Sequence, residues 1–242
     1  VQFGPMLAAL EKLPPRAVVL LHASCHNPTG ADLSQDEWRE LLALVRRRQL
    51  LPFIDMAYQG LGDGLEPDTF GIRLFAAELP ELVCAVSCSK NFGLYRERVG
   101  ALHVVTSTPK AADAVLSQLV KLGRGMWSMP PDHGAEIVRR ILSDHALRTL
   151  WEEEVGAMRR RIQHLRHEFV GQLQTHCPQR DFGFIERQKG MFSFLGVTTP
   201  QVHALRSEHH IYMTDDSRIN IAGLRRENLE AVAAAVAQVL KR

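Results

Sequence analysis

Six residues of this chain have the types and spacing to work on one small molecule. Asp55 closes the apolar run LLPFID, and Tyr58 follows shortly after it. Ser87 and Ser89 close another apolar run, LVCAVSCS, which leads directly into Lys90, and Arg98 is close by. A carboxylate at the end of an apolar strand is poorly solvated and needs a cationic or hydrogen-bonding partner. A lysine near other cations and partly desolvated has the lowered pKa that a Schiff-base nucleophile requires. Two hydroxyls and an arginine beside it suit a phosphate. A carboxylate facing a pyridine nitrogen keeps that ring protonated and makes it an electron sink.

Lysine, carboxylate, phenol and phosphate cradle together describe a site for pyridoxal phosphate (PLP). Each residue alone has a plainer reading. A strand-end aspartate is more often a cap or turn residue, a lone S-x-S-K is usually loop, and a lone arginine is most often in a surface ion pair. Their order along the chain is what raises them above that reading.

The elements that must position these residues follow from the pattern. AVVLLHA at 17–23, LLPFID ending at Asp55, LVCAVSCS ending at Lys90 and VGALHVV at 99–105 read as strands. Ser34 opens S-Q-D-E, a capping box that predicts a helix to about Arg48. Continuous apolar strands alternating with helices predict an α/β parallel or mixed sheet covered on both faces. The polar residues cluster past the strands' C-terminal ends, where such sheets bind ligands. From Asp144 the pattern changes to a long helical stretch, then the strand candidates DFGFIE and MFSFLGV, a helix at about 199–208, the strand RINIA and a last helix at about 226–241. The expected division is therefore residues 1–145 and an α+β unit at 146–242, with the boundary inside or beside the long helix.

Six segments, in order, closely resemble the aspartate/aromatic (class I) aminotransferases, a branch of the fold-type I PLP enzymes. They are HNPTG at 26–30, DMAYQG at 55–60, SCSKNFGLYRERVG at 87–100, PP-x-HG at 130–134, GMFSF at 190–194 and RINIAG at 218–223. The resemblance implies the PLP-transferase α/β fold, with the C-terminal part of a mixed, mostly parallel sheet in a large domain and a small α+β C-terminal domain. It also implies residue roles. Lys90 would hold the cofactor and shuttle the substrate's Cα proton, and Asp55 would pair with the pyridinium nitrogen. Tyr58 and Asn27 would hydrogen-bond the ring's phenolic oxygen, while Ser87, Ser89 and Arg98 would hold the phosphate. Arg218 would clamp the substrate α-carboxylate, Phe192 would line the pocket, and Arg124 would receive a distal carboxylate in the partner subunit's site, so a homodimer is implied.

The implied reaction is amino-group transfer between an L-amino acid and a 2-oxo acid, with aspartate, glutamate and 2-oxoglutarate as the first expectation. An aromatic amino acid aminotransferase is one alternative. A catalytically inactive fragment or non-enzymatic relative with the same fold is another. Residues 127–129 read W-S-M where these enzymes commonly have an aromatic followed by S-N or S-S. The chain opens on Val1 with a segment that reads as mid-domain, so an N-terminally truncated chain is expected. The family's preceding part carries a phosphate-binding helix start, an aromatic that stacks on the cofactor ring and a tyrosine given to the neighbouring subunit, so weak PLP binding is expected without it.

Composition narrows the field. At 45% hydrophobic, 23% charged and a net charge of +2, the chain reads as an ordinary globular protein and gives no ground for nucleic acid or membrane-surface binding. No apolar run approaches the ~20 residues of a membrane-spanning helix, and the start has no signal-peptide pattern. Cys25, Cys84, Cys88 and Cys177 have no CxxC spacing, so reduced thiols in a cytoplasmic protein are expected. GLGDG at 60–64 lacks dinucleotide-loop spacing and reads as a surface loop. His22, His26, His164, His167, His209 and His210 complete no metal-ligand pattern. The basic stretch RRRIQHLRH at 159–167 reads as a solvated helix face.

Overall fold

Residues 1–241 are described by a computed structural model. The apolar runs become strands β1 (Val18–His22), β2 (Leu51–Met56), β3 (Leu82–Ser87) and β4 (Gly100–Val105). They form one sheet in the order β1-β2-β3-β4, parallel across the first two pairings and antiparallel across β3 and β4. The register sets His22, Asp55 and Ala85 abreast and pairs Ser87 with Gly100.

Helix α2 (Gln35–Arg48) starts where the capping box predicts. The Ser34 hydroxyl accepts from the Glu37 amide at 3.2 Å, and the Glu37 carboxylate accepts from the Ser34 amide at 2.7 Å. Its Trp38, Leu41, Leu42 and Val45 recur at helical spacing and are buried. They pack with Val19, Leu21, Ile54, Phe75 and Leu82, drawn from β1, β2, α3 (Phe70–Glu78) and β3. Helix α1 (Phe3–Leu10) adds Phe3, Met6 and Leu7 to the same core. Trp38 meets Phe75 edge-on, with ring centroids 5.4 Å apart.

Coverage of both faces is not what the chain shows. Val19 and Leu21 of β1 are buried, but the alternate residues Val18 and Leu20 are 61% and 63% exposed. In β4, Gly100 to His103 are exposed. A strand sends successive side chains to opposite faces, so one apolar run serves two faces, and here helices α1 to α3 fill only one. Two further helices of this region, α4 (Pro109–Trp127) and α5 (His133–Ser143), keep most of their surface exposed.

The chain divides into two units. Residues 1–23, 33–59 and 66–154 form the first, and residues 24–32, 60–65 and 155–242 the second. The long helix α6 (His145–His176) contributes to both, with the division at Glu154 and Val155. Its early turns belong with the first unit because the Trp151 ring stacks on Phe92, centroids 4.4 Å apart, and donates from Nε1 to the Asn91 carbonyl at 2.8 Å. The GLGDG loop is no surface loop. Gly60, Leu61 and Gly62 are buried, and Arg159 and Gln163 of α6 donate to the Gly60 and Gly62 carbonyls.

The second unit packs Phe169, Val170 and Leu173 of α6 against α8 (Thr199–His209), α9 (Leu229–Leu240) and the two-stranded antiparallel pair β5 (Phe192–Phe194) and β6 (Arg218–Asn220). The segment DFGFIE is not a strand. Most of it falls in a short helix, α7 (Gly183–Arg187), ahead of which the Asp181 carboxylate accepts from the Gly183 amide at 2.7 Å. That local side-chain bond turns the backbone, and Phe182 and Ile185 become buried on one side of the turn.

Candidate active site

In the first unit the strand ends deliver the polar groups. Asp55 is the penultimate residue of β2, and its carbonyl accepts from the Ala23 amide at 2.9 Å. Tyr58, just beyond β2, is buried. Ser87 ends β3, and its hydroxyl donates to the Ser89 hydroxyl at 3.1 Å while accepting from the Ser89 amide at 3.2 Å. The loop that follows closes on itself. Cys88 donates its amide to the Val99 carbonyl, Gly93 donates to the Lys90 carbonyl, and β4 begins opposite Ser87. Antiparallel pairing thus returns Arg98 toward the strand end from which Lys90 leaves.

Arg98 adopts φ 52, the left-handed region that non-glycine residues seldom occupy, and donates to the Tyr95 carbonyl at 2.9 Å. The PP-x-HG segment packs behind this turn. His133 Nδ1 lies 3.0 Å from the Glu97 carboxylate, and a Cβ on Gly134 would stand 2.7 Å from that of Glu97. Only glycine allows the approach.

The Lys90 Nζ lies 4.5 Å from the centre of the Tyr58 ring. Burial pulls the Lys90 amine below the ordinary lysine range, the Asp55 carboxylate opposes that, and the Arg98 charge adds to the lowering. An amine so placed spends more of its time neutral and nucleophilic. The donor set fits PLP: an activated amine, a carboxylate for a ring nitrogen, and two hydroxyls with a guanidinium for a phosphate.

The second unit assembles a different set. Arg218, at the start of β6, donates from Nη1 to Asn27 Oδ1 at 3.1 Å, and its guanidinium carbon lies 5.1 Å from the centre of the Phe192 ring. Arg218 is paired across the ladder with Phe194, and Phe192 with Asn220. A cavity of about 660 Å³ opens here, lined by Phe192, Arg218, Tyr212, Met213 and Asn220 among others. Arg124 stands apart, exposed in the last turn of α4 beside the exposed Trp127 and Met129.

Comparison with known proteins gives the family. The family model for aminotransferase class I and II matches residues 1–236. The chain belongs to that family. It is 53% identical over 234 residues to an aromatic-amino-acid aminotransferase of Pseudomonas aeruginosa, covering 97% of this chain and 59% of that protein. It is 46% identical over 235 residues to an aspartate aminotransferase of the same organism, covering 97% and 59%. Among solved structures, an aromatic-amino-acid aminotransferase from Burkholderia pseudomallei, covalently bound to pyridoxal phosphate, superposes with a TM-score of 0.97 at 46% identity, covering 99% of this chain and 60% of that one. The chain thus spans about three-fifths of the length of the relatives it matches.

Two supporting residues of this chain escape a reading of the sequence for reactive groups. Trp151 clamps the backbone directly after Lys90 through Asn91 and Phe92. Arg166, inside the stretch expected to be solvated, is only 1% exposed. The signal for Arg166 is its place in the stripe Ile162, Leu165, Phe169, Val170 and Leu173, all buried at helical spacing. Its neighbours do behave as a polar face: His164 pairs with Glu168 and His167 with Glu186. All four cysteines are free, and no described helix is long and apolar enough to cross a membrane.

Proposed function

We propose that the protein to which this chain belongs transfers an amino group between an L-amino acid and a 2-oxo acid with PLP. The observation that carries this reading is the Lys90 amine, partly desolvated over the Tyr58 ring, with Asp55 and Arg98 as its charged neighbours. When bound, the cofactor supplies an electron sink for negative charge at the substrate Cα. Lys90 would hold the cofactor, and its amine, when free of it, would take and return the Cα proton. Asp55 would keep the ring nitrogen protonated, Tyr58 and Asn27 would each donate to the ring's phenolic oxygen, and Ser87, Ser89 and Arg98 would bind the phosphate. Arg218 fixes the α-carboxylate with two parallel bonds, which orients the Cα–H bond for removal, and Phe192 lines the pocket.

Aspartate, glutamate and 2-oxoglutarate are the proposed substrates, with Arg124 taking the distal carboxylate in the site of a second subunit. Leu116, Val120, Met126 and Trp127 leave a large apolar surface exposed on α4, as a helix used in a homodimer would. A second reading has support of its own: the aromatic-amino-acid enzyme of Pseudomonas aeruginosa shares more residues with this chain than its aspartate enzyme does. Reduced cysteines accord with a cytoplasmic location.

The test is the visible absorption spectrum of the purified protein mixed with PLP, before and after L-aspartate. The expected result is a pH-sensitive band that is missing in Lys90→Ala and that aspartate converts. A band unchanged in Lys90→Ala removes Lys90 from the mechanism. No band in the wild-type protein favours the non-enzymatic alternative.

A further inference from the structure

Among the described residues Arg166 is the most buried large side chain with a charge, and none of its hydrogen bonds goes to a carboxylate. Nη1 donates to the Ile185 carbonyl at 2.8 Å and the Ser193 hydroxyl at 2.6 Å. Nη2 donates to the carbonyls of Lys189 at 3.1 Å, Gly190 at 2.7 Å and Phe192 at 2.7 Å. Its Nε has no hydrogen-bond partner. Burial pushes the guanidinium down to about 10, with Cys25 and Asp32 opposing the shift.

Desolvating a cation is expensive, and well-packed apolar side chains commonly replace buried ionic groups without loss of stability. Bulk alone therefore gives no reason for an arginine here. What the guanidinium does that an apolar chain cannot is draw carbonyls from 185, 189, 190 and 192 to one point through a planar fork of donors. That segment needs an anchor, because the ladder between β5 and β6 is only three residues long on each strand.

The gathered segment abuts the turn that carries Asn27. Lys189 donates its amide to the Gly30 carbonyl at 2.8 Å. A Cβ on Gly190 would lie 2.4 Å from that of Cys25, and one on Gly30 would lie 2.4 Å from the Phe192 carbonyl oxygen. Both glycines have positive φ, +72 and +70. From this turn Asn27 accepts from Arg218, and Arg218 lies over the Phe192 ring, whose own carbonyl is held by Arg166. The contacts form a closed circuit through Arg166, 189–190, 25–30, Asn27, Arg218 and Phe192.

We infer that Arg166 is a positioning residue that preassembles Asn27, Arg218 and Phe192 into one carboxylate-binding set. The inference rests on the reading of Arg218 as the clamp for the substrate α-carboxylate. Arg166 itself lies beneath the set and bonds the backbone that carries it.

The test compares Arg166→Lys, Arg166→Met and Arg218→Lys in the full-length holoenzyme, with the cofactor's visible band confirming loading. Arg166→Met is expected to raise the amino acid KM about tenfold, with kcat changed much less, because a displaced clamp weakens binding of the substrate in all its states. Arg166→Lys keeps the charge and some donors, so its KM should fall between wild type and Arg166→Met. A residue that only fills space would give the reverse order, since methionine suits an apolar core better than lysine, and that order overturns the inference. A folded Arg166→Met with wild-type KM overturns it as well. If Arg166→Met does not fold, Ser193→Ala removes one acceptor and leaves the cation, and it should raise KM about twofold or more; an unchanged KM there also counts against the inference. Arg218→Lys separates the two levels. A raised KM in Arg218→Lys with none in the Arg166 variants rejects the positioning role alone, whereas no effect in Arg218→Lys rejects the carboxylate reading beneath it.

Discussion

In the first unit the polar residues sit where paired strands leave them, whereas in the second a buried cation gathers them. Asp55 and Ser87 are members of a continuous hydrogen-bonded sheet, and Lys90 and Arg98 lie on the single loop that joins adjacent strands. Asn27 and Arg218 come from distant parts of the chain and meet through loops, one short ladder and Arg166. A site built on a ladder inherits its precision from backbone bonds that any residue can make. A site built by gathering depends on a few side chains and on glycines that let backbones touch.

Several substitutions would break or sharpen this contrast. The largest effect is expected from Lys90→Ala, which removes both the covalent anchor and the proton carrier; steady-state turnover should fall by about 10⁴-fold. Arg124→Ala comes next and should lower kcat/KM for aspartate about a hundredfold while leaving phenylalanine within a few-fold, because only the dicarboxylate loses a charge-assisted pair. Equal losses on both substrates would reject that role for Arg124.

Two glycine variants then compare the frames themselves. Gly93 and Gly190 both have positive φ, +68 and +72, but a Cβ on Gly93 meets nothing within 4 Å while one on Gly190 meets Cys25. Gly93→Ala should cost about 1 kcal/mol of backbone strain alone. Gly190→Ala should cost about 3 kcal/mol, because strain is joined by overpacking. Chemical denaturation measures both, and equal costs would dissolve the distinction between the two frames.

The smallest effects are shifts in the pH dependence of Lys90 acylation, followed by mass spectrometry. Arg98 disfavours the ammonium, so Arg98→Gln should raise the Lys90 pKa and move the reactivity curve to higher pH. Asp55 favours the ammonium, so Asp55→Asn should lower the pKa and move the curve to lower pH. No shift in either variant would show that burial alone controls this amine.

Much of the first unit was legible because its signals are local. An apolar run ending in a polar residue marks a strand end, and S-Q-D-E marks the start of α2 through bonds made within one turn. DFGFIE misled because its alternation of apolar residues looks like a strand, while the Asp181 side chain turns the backbone instead. RRRIQHLRH misled because one basic residue among several falls on the apolar stripe, and composition averages that position away. The exposed alternate residues of β1 were equally hidden, since an apolar run states that both faces tolerate burial and not that both are covered.

The sequence by itself determined the four strands of the first sheet, the start of α2, the candidate reactive residues and the family whose motifs they form, because these depend on residue type, spacing and bonds within a turn or two. Only the tertiary structure decided that GLGDG is buried but for Asp63, that Arg166 is the hub of its unit and that Asn27 meets Arg218. Those facts depend on which distant backbone carbonyls and side chains are brought together, and no local preference encodes the partner of a buried cation.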